Sequence, residues 1–180
     1  EMVQIIDKKG LQSHLDLWSS DEPNKPIGYL LNLEGADSIV TLDHLHKAYE
    51  QGLRAIGPAH YGPGTYAHGT DSEGGLGTKG KELLNEIEKL NMILDVTHLC
   101  DQSFWEAIDH YNGKMWASHS NCRSLVPNQR QFSNLQIKEL ISRKAIIGMA
   151  FDAWMMIPKW QKGISDPKKS GLVIETIIDH

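Results

Sequence analysis

A chain of 180 residues with 40% apolar side chains has the length of one ordinary domain and enough apolar mass to bury a core, which excludes an intrinsically disordered polypeptide. Its 18 Lys and Arg stand against 23 Asp and Glu, a formal charge of −5 with the basic residues scattered, so nucleic acid is excluded as a natural partner. No apolar run approaches the ~20 residues of a membrane span, and Cys100 and Cys122 are too few for a disulfide framework or a Cys-rich zinc knuckle, so the chain reads as soluble.

Leu11, Leu15, Leu17 and Trp18 have the spacing of an amphipathic helix. Beyond them, short apolar or β-branched runs end in a polar residue, and each is followed by a longer helical pattern. Ile27 to Leu33 leads to Glu34, and Thr41 then caps a helix that stops at Gly52. Leu53 to Gly57 ends near His60. From Tyr61 to Gly80 the chain is rich in glycine and reads as a long surface loop, a place where function is often carried. A helix around Lys79 to Leu90 precedes the strand Met92 to Thr97, which arrives at His98. Asp101 is the expected cap of the next helix, and Asn112-Gly113 turns the chain into the strand Lys114 to Ser118, which delivers His119. Ser133 or Asn134 caps a helix to Arg143, Ala145 to Phe151 is a continuous apolar strand, and Leu172 begins one more helix.

Strands separated by helices require parallel pairing with crossover connections. Five such strands are expected, in a sheet covered on both faces because runs such as Ile146 to Phe151 carry no polar alternation. A complete (β/α) barrel takes about 250 residues and about eight strands. The chain therefore reads as an open doubly wound sheet or as part of a barrel.

Glu34, His60, His98 and His119 each follow directly on a predicted strand, at the carboxyl edge where parallel α/β folds build their sites. His98 and His119 are 21 residues apart, one strand-helix-turn repeat, so neighbouring strands would present two imidazoles side by side. Two imidazoles and a carboxylate suit Zn²⁺ with positions left open for water. A histidine at a strand end is also a common hydrogen-bonded structural group, and that reading competes for each residue singly. Asp95 and Asp152, at strand positions, must be paired or bound; Asp95 is expected to be structural, on the face opposite His98. Arg123 and Arg130 follow His119, and a guanidinium there would clamp a substrate carboxylate bidentately.

Other patterns carry less. Gly75, Gly80 and Lys81 have P-loop spacing, but Glu82 replaces the magnesium-binding hydroxyl and no strand precedes them. His14 and Asp16 have a metal-pair spacing but sit on the amphipathic helix; His44 and His46 point to different sides of theirs. His110 closes a helix, where a cation suits the dipole.

Five ordered segments resemble the membrane (renal) dipeptidase family of zinc peptidases: Leu33-Glu34-Gly35-Ala36, Gly52 to His60, Gly75 to Leu83, Leu94-Asp95-Val96-Thr97-His98 and Ala117-Ser118-His119-Ser120-Asn121. The resemblance implies a (β/α)₈ TIM-type barrel of which residues 1–180 are a central portion, truncated at both ends. It implies two zinc ions, with Glu34 bridging them and His98 and His119 on the second metal. His60 would contact the substrate and its tetrahedral oxyanion, and Arg130 would hold the terminal carboxylate of a dipeptide. The implied reaction is dipeptide hydrolysis through a metal-bridging hydroxide, in a family that often forms homodimers. The family's first-metal His-x-Asp and its proton-carrying Asp have no convincing counterpart here, so the chain alone is expected to bind one zinc weakly and hydrolyse little. Phe151 to Met156 also departs from the family's pattern, which bears on substrate choice. The alternatives are a metal-dependent amidase or phosphoesterase on the same barrel, or a non-catalytic binding module.

Overall fold

The apolar runs pair in the order in which the chain presents them. In a computed structural model that describes residues 1–180, β1 (Met2–Gln4) and β2 (Ile27–Tyr29) form a small parallel pair bridged by helix α1 (Lys8–Ser19). A second, five-stranded sheet follows: β3 (Leu31–Glu34), β4 (Leu53–Gly57), β5 (Ile93–Asp95), β6 (Met115–Ala117) and β7 (Ile146–Ile147), all parallel and in sequential order. Helices α2 (Leu42–Glu50), α3 (Gly77–Lys89), α4 (Asp101–His110) and α5 (Asn134–Ser142) make the crossovers, and short helices α6 (Ala153–Met156) and α7 (Thr176–Asp179) end the chain. Sequential parallel order with one helix per crossover is the wall of a (β/α) barrel, whereas a doubly wound sheet reverses its strand order.

Three boundaries differ from expectation. The run Ile27 to Leu33 divides at Leu30, because its first half pairs with β1 and its second half with β4. Strand β7 keeps only Ile146 and Ile147: from Ala150 onward the pairing partner is the Asn121 side chain, which accepts from Ala150 N at 2.9 Å and donates to Ala150 O at 2.8 Å. The glycine-rich stretch is not a surface loop. Tyr66, Ala67, Thr70 and Leu76 are buried in it, and Thr70 N donates to His60 O at 3.0 Å. Glycine permits this packing, since a Cβ on Gly69 would lie 2.1 Å from His60 O and one on Gly80 2.0 Å from Tyr66 O.

The two faces of the main sheet have different tasks. Ile56, Leu94, Met115 and Ala117 face the helices and join Leu45, Leu83, Leu84, Ile87, Phe104 and Leu140 in one apolar core. Each such buried large side chain contributes about 1.5–3 kcal/mol. The other face carries Asn32 and Glu34 on β3, paired with the small residues Ala55 and Gly57 on β4. It continues through Asp95 and Trp116, which are register partners. Local signals set the helix ends: Ser133 and Gln136 form a reciprocal capping box at α5, and Asp7 accepts from Gly10 N at the start of α1. No helix is long and apolar enough to cross a membrane.

Candidate metal centre

Strands β3, β5 and β6 deliver their ligands to one rim. Glu34 is the last residue of β3, and His98 and His119 lie just beyond β5 and β6. His98 Nε2 is 2.9 Å from Glu34 Oε1, and His119 Nε2 is 3.0 Å from the same oxygen. The three side chains are the one group of ligating residues whose donor atoms converge, all within 4.8 Å of one another.

His98 is buried and has φ +70°, a left-handed conformation that a non-glycine residue adopts only where its surroundings enforce it. Thr70 is part of that enforcement. Its hydroxyl donates to His98 O at 3.2 Å, and Thr70 Oγ1 lies 3.1 Å from His98 Nδ1. A hydroxyl has one proton, so the second contact has Nδ1–H donating to the oxygen, which leaves the lone pair on Nε2. His119 Nδ1 is held by Ser118 Oγ at 2.8 Å, which fixes the orientation of its ring.

The 2.9 Å contact between His98 and Glu34 has the length of an ion pair, but charge does not reside on this imidazole. Burial, with the Arg130 guanidinium and the His60 and His119 rings around it, pushes its pKa down to about 2. Burial and Arg130 also lower that of His119, against the opposing pull of Glu34 and Asp95. The Nε2 lone pair of neutral His98 thus faces a carboxylate oxygen with no proton between them. A divalent cation relieves that opposition, and two nitrogens with one oxygen match the donor set of zinc. The residues present fit the metal.

His60 stands slightly apart, its Nε2 3.9 Å from Glu34 Oε1, beyond hydrogen-bond reach. Its ring packs edge-on against His98 and Tyr61, with centroids 4.3 and 4.8 Å away, and it is half exposed. Arg130 is 3% exposed, and burial lowers its pKa. It donates to Ser120 Oγ at 2.8 Å and to His119 O at 2.7 Å, which leaves other guanidinium N–H groups free. All five residues line one cavity of about 430 Å³, to which Phe151, Asp152 and Trp154 also contribute.

The other candidates go elsewhere. Arg123 is no clamp: it grips Asp101 with two bonds of 2.8 and 2.7 Å and donates to Gln131 O. Asp101 is accordingly the first residue of α4 rather than its cap. His14 packs on Trp18, Asp16 accepts from Gln12, His44 meets Thr41, and His46 meets Glu86. Asp95 is structural as expected, but it lies beneath the metal centre, bonded to Asn32 on the Glu34 face, and not opposite it. Sequence reasoning passed over Thr70, Ser118 and Tyr61; only Ser118 and Tyr61, each adjacent to a site histidine, offered a signal.

Comparison with known proteins shows the family and the fold. The profile of the membrane dipeptidase family, peptidase family M19, matches residues 9–180. An uncharacterized protein from the PQQ-III 3′ region of Acinetobacter calcoaceticus is 28% identical over 165 residues, covering 87% of this chain and 50% of its own length. Dipeptidase tcpJ of Claviceps purpurea is 26% identical over 161 residues, covering 85% and 36%. A metallopeptidase of Rhodobacter sphaeroides, solved with a phosphinate mimic of L-Ala-D-Ala, superposes with a TM-score of 0.77 at 23% identity over 87% of this chain and 45% of that one, a likeness of fold. The chain thus spans between about a third and a half of the length of the curated relatives it matches. With a parallel sheet that makes up part of a TIM barrel wall and a histidine-carboxylate cluster at its rim, the chain belongs to the membrane dipeptidase family of metallopeptidases, peptidase family M19.

Proposed function

We propose that Glu34, His98 and His119 hold a zinc ion, and that the protein carrying residues 1–180 hydrolyses dipeptides at this centre. The observation that supports this reading is the convergence of the three donor atoms on the same cavity that Arg130 lines. Bound there, zinc would supply a Lewis acid that polarises the scissile carbonyl and acidifies water near neutral pH. The chain's own residues would do the rest. Glu34 presents a carboxylate oxygen to both imidazoles, Thr70 keeps the His98 lone pair aimed inward, and Ser118 orients the His119 ring. As the family resemblance implies, Glu34 would be the residue shared with a second zinc. His60, half exposed at the cavity wall, would hydrogen-bond the oxygen on which negative charge develops. Arg130 would bind the dipeptide's terminal carboxylate through its free N–H groups and, by its charge, keep His98 and His119 unprotonated.

The test compares a dipeptide with its C-terminal amide on the zinc-loaded protein, with and without His119→Ala. Hydrolysis is expected for the free carboxylate, at least about a hundredfold slower for the amide, and absent in the variant. Equal rates for acid and amide would rule out the role of Arg130, and unchanged hydrolysis in His119→Ala would rule out the site.

A further inference from the structure

One buried carboxylate is not used by the chemistry above, and its bonds reach every segment that carries a ligand. Asp95 is 3% exposed. Its Oδ1 accepts Thr97 N at 3.0 Å and Ser118 N at 3.2 Å, and its Oδ2 accepts Asn32 Nδ2 at 2.5 Å. Thr97 immediately precedes His98, Ser118 immediately precedes His119, and Asn32 lies two residues before Glu34 on the same strand face.

We infer that Asp95 is the positioning residue that holds Glu34, His98 and His119 in mutual register before metal arrives; the inference rests on the zinc reading of those three residues. Asp95 is not itself a ligand, since its oxygens are engaged by two backbone amides and a side-chain amide and it is outside the converging group. A carboxylate taken out of water must be hydrogen-bonded, and bonds to an ionised acceptor are stronger than neutral ones. Asp95 therefore acts as a buried anchor to which three strand ends are tied. The geometry around it is built for that reach. Asn32 on β3 crosses over β4 to meet Asp95 on β5, and the β4 residues paired with Asn32 and Glu34 are Ala55 and Gly57. A Cβ on Gly57 would lie 3.3 Å from Asp95 O and 3.8 Å from its Cβ. A second tie crosses the same two strand ends, with His119 N donating to Thr97 Oγ1 at 3.4 Å and Thr97 Oγ1 lying 3.3 Å from Ser118 Oγ.

The experiment measures zinc affinity by chelator competition and the visible spectrum of the Co²⁺-substituted chain, with the melting temperature recorded in chelator as a gauge of fold. Asp95→Asn keeps the shape and loses the charge. It is expected to weaken zinc about 10–100-fold and to alter the Co²⁺ band, as loss of a group that orients metal ligands does. Asn32→Ala severs one tie of three and is expected to cost about tenfold. Asp101→Asn, in the ion pair with Arg123 remote from the metal, is the control. It should lower the melting temperature and leave zinc affinity and the Co²⁺ band as in the wild type. Wild-type zinc affinity and an unchanged Co²⁺ band in Asp95→Asn would overturn the inference whatever the melting temperature; should that variant not fold, the same result in Asn32→Ala overturns it. A wild-type chain that binds neither metal removes the zinc reading and this inference together, an outcome distinct from wild-type binding that the variants do not disturb.

Discussion

Acid should destabilise the metal-free chain through His98, and by an amount the structure sets. The folded His98 stays neutral down to about pH 2 because it is buried beside Arg130 and two other histidines, whereas the unfolded chain takes up a proton near the ordinary value of 6.5. The unfolded state therefore binds more protons below that value, so stability falls as pH falls, at about 1.4 kcal/mol per pH unit for this one group. Between about pH 7.5 and about pH 5 the loss from His98 is about 2 kcal/mol. His119, whose pKa is also lowered, adds to it in the same direction. The assay is urea unfolding of chelator-treated protein at both pH values, compared with His98→Asn. Asparagine suits the comparison because it tolerates the positive φ of that position. The variant should lose about 2 kcal/mol less than the wild type on acidification. Equal losses in the two proteins would refute the claim that His98 is held neutral, and with it the argument that its Nε2 lone pair is available to a cation.

Arg123→Ala should lower stability by about 1 kcal/mol through loss of its paired bonds to Asp101 while leaving zinc affinity unchanged, as followed by denaturant midpoint and chelator competition. A drop in zinc affinity would restore Arg123 to the site. Gly80→Ala should cost about 3 kcal/mol, because the new methyl on α3 meets the Tyr66 carbonyl of the loop packed against that helix, where neither can retreat. A thermal melt within a degree or two of the wild type would show that the loop is looser than described.

The half of the architecture that carries the candidate ligands was legible because it follows from a repeating pattern. Apolar runs ending in Glu34, His98 and His119, with helices between them, become strands of one parallel sheet, which presents its carboxyl ends along one edge. Strand β1 was not legible: Met2 and Val3 are exposed in a two-stranded pair, so burial imposes no alternation on them. The glycine-rich segment misled because composition resembles a solvated loop, whereas its glycines serve close backbone packing. Arg123 and Arg130 are separated by a few residues of similar character, and only the path of the chain turns one toward Asp101 and the other toward His119. Asp95 looked structural on sequence grounds, yet its partners on three strand ends are a matter of register that periodicity does not carry.

The central claim is that Glu34, His98 and His119 share one metal ion. Anomalous diffraction at the zinc edge from crystals grown with zinc tests it directly. The account predicts a peak at about 2.0–2.2 Å from His98 Nε2, His119 Nε2 and a Glu34 oxygen together. A peak on His14 and Asp16, or on His44 or His46, with none at the strand rim, would contradict it.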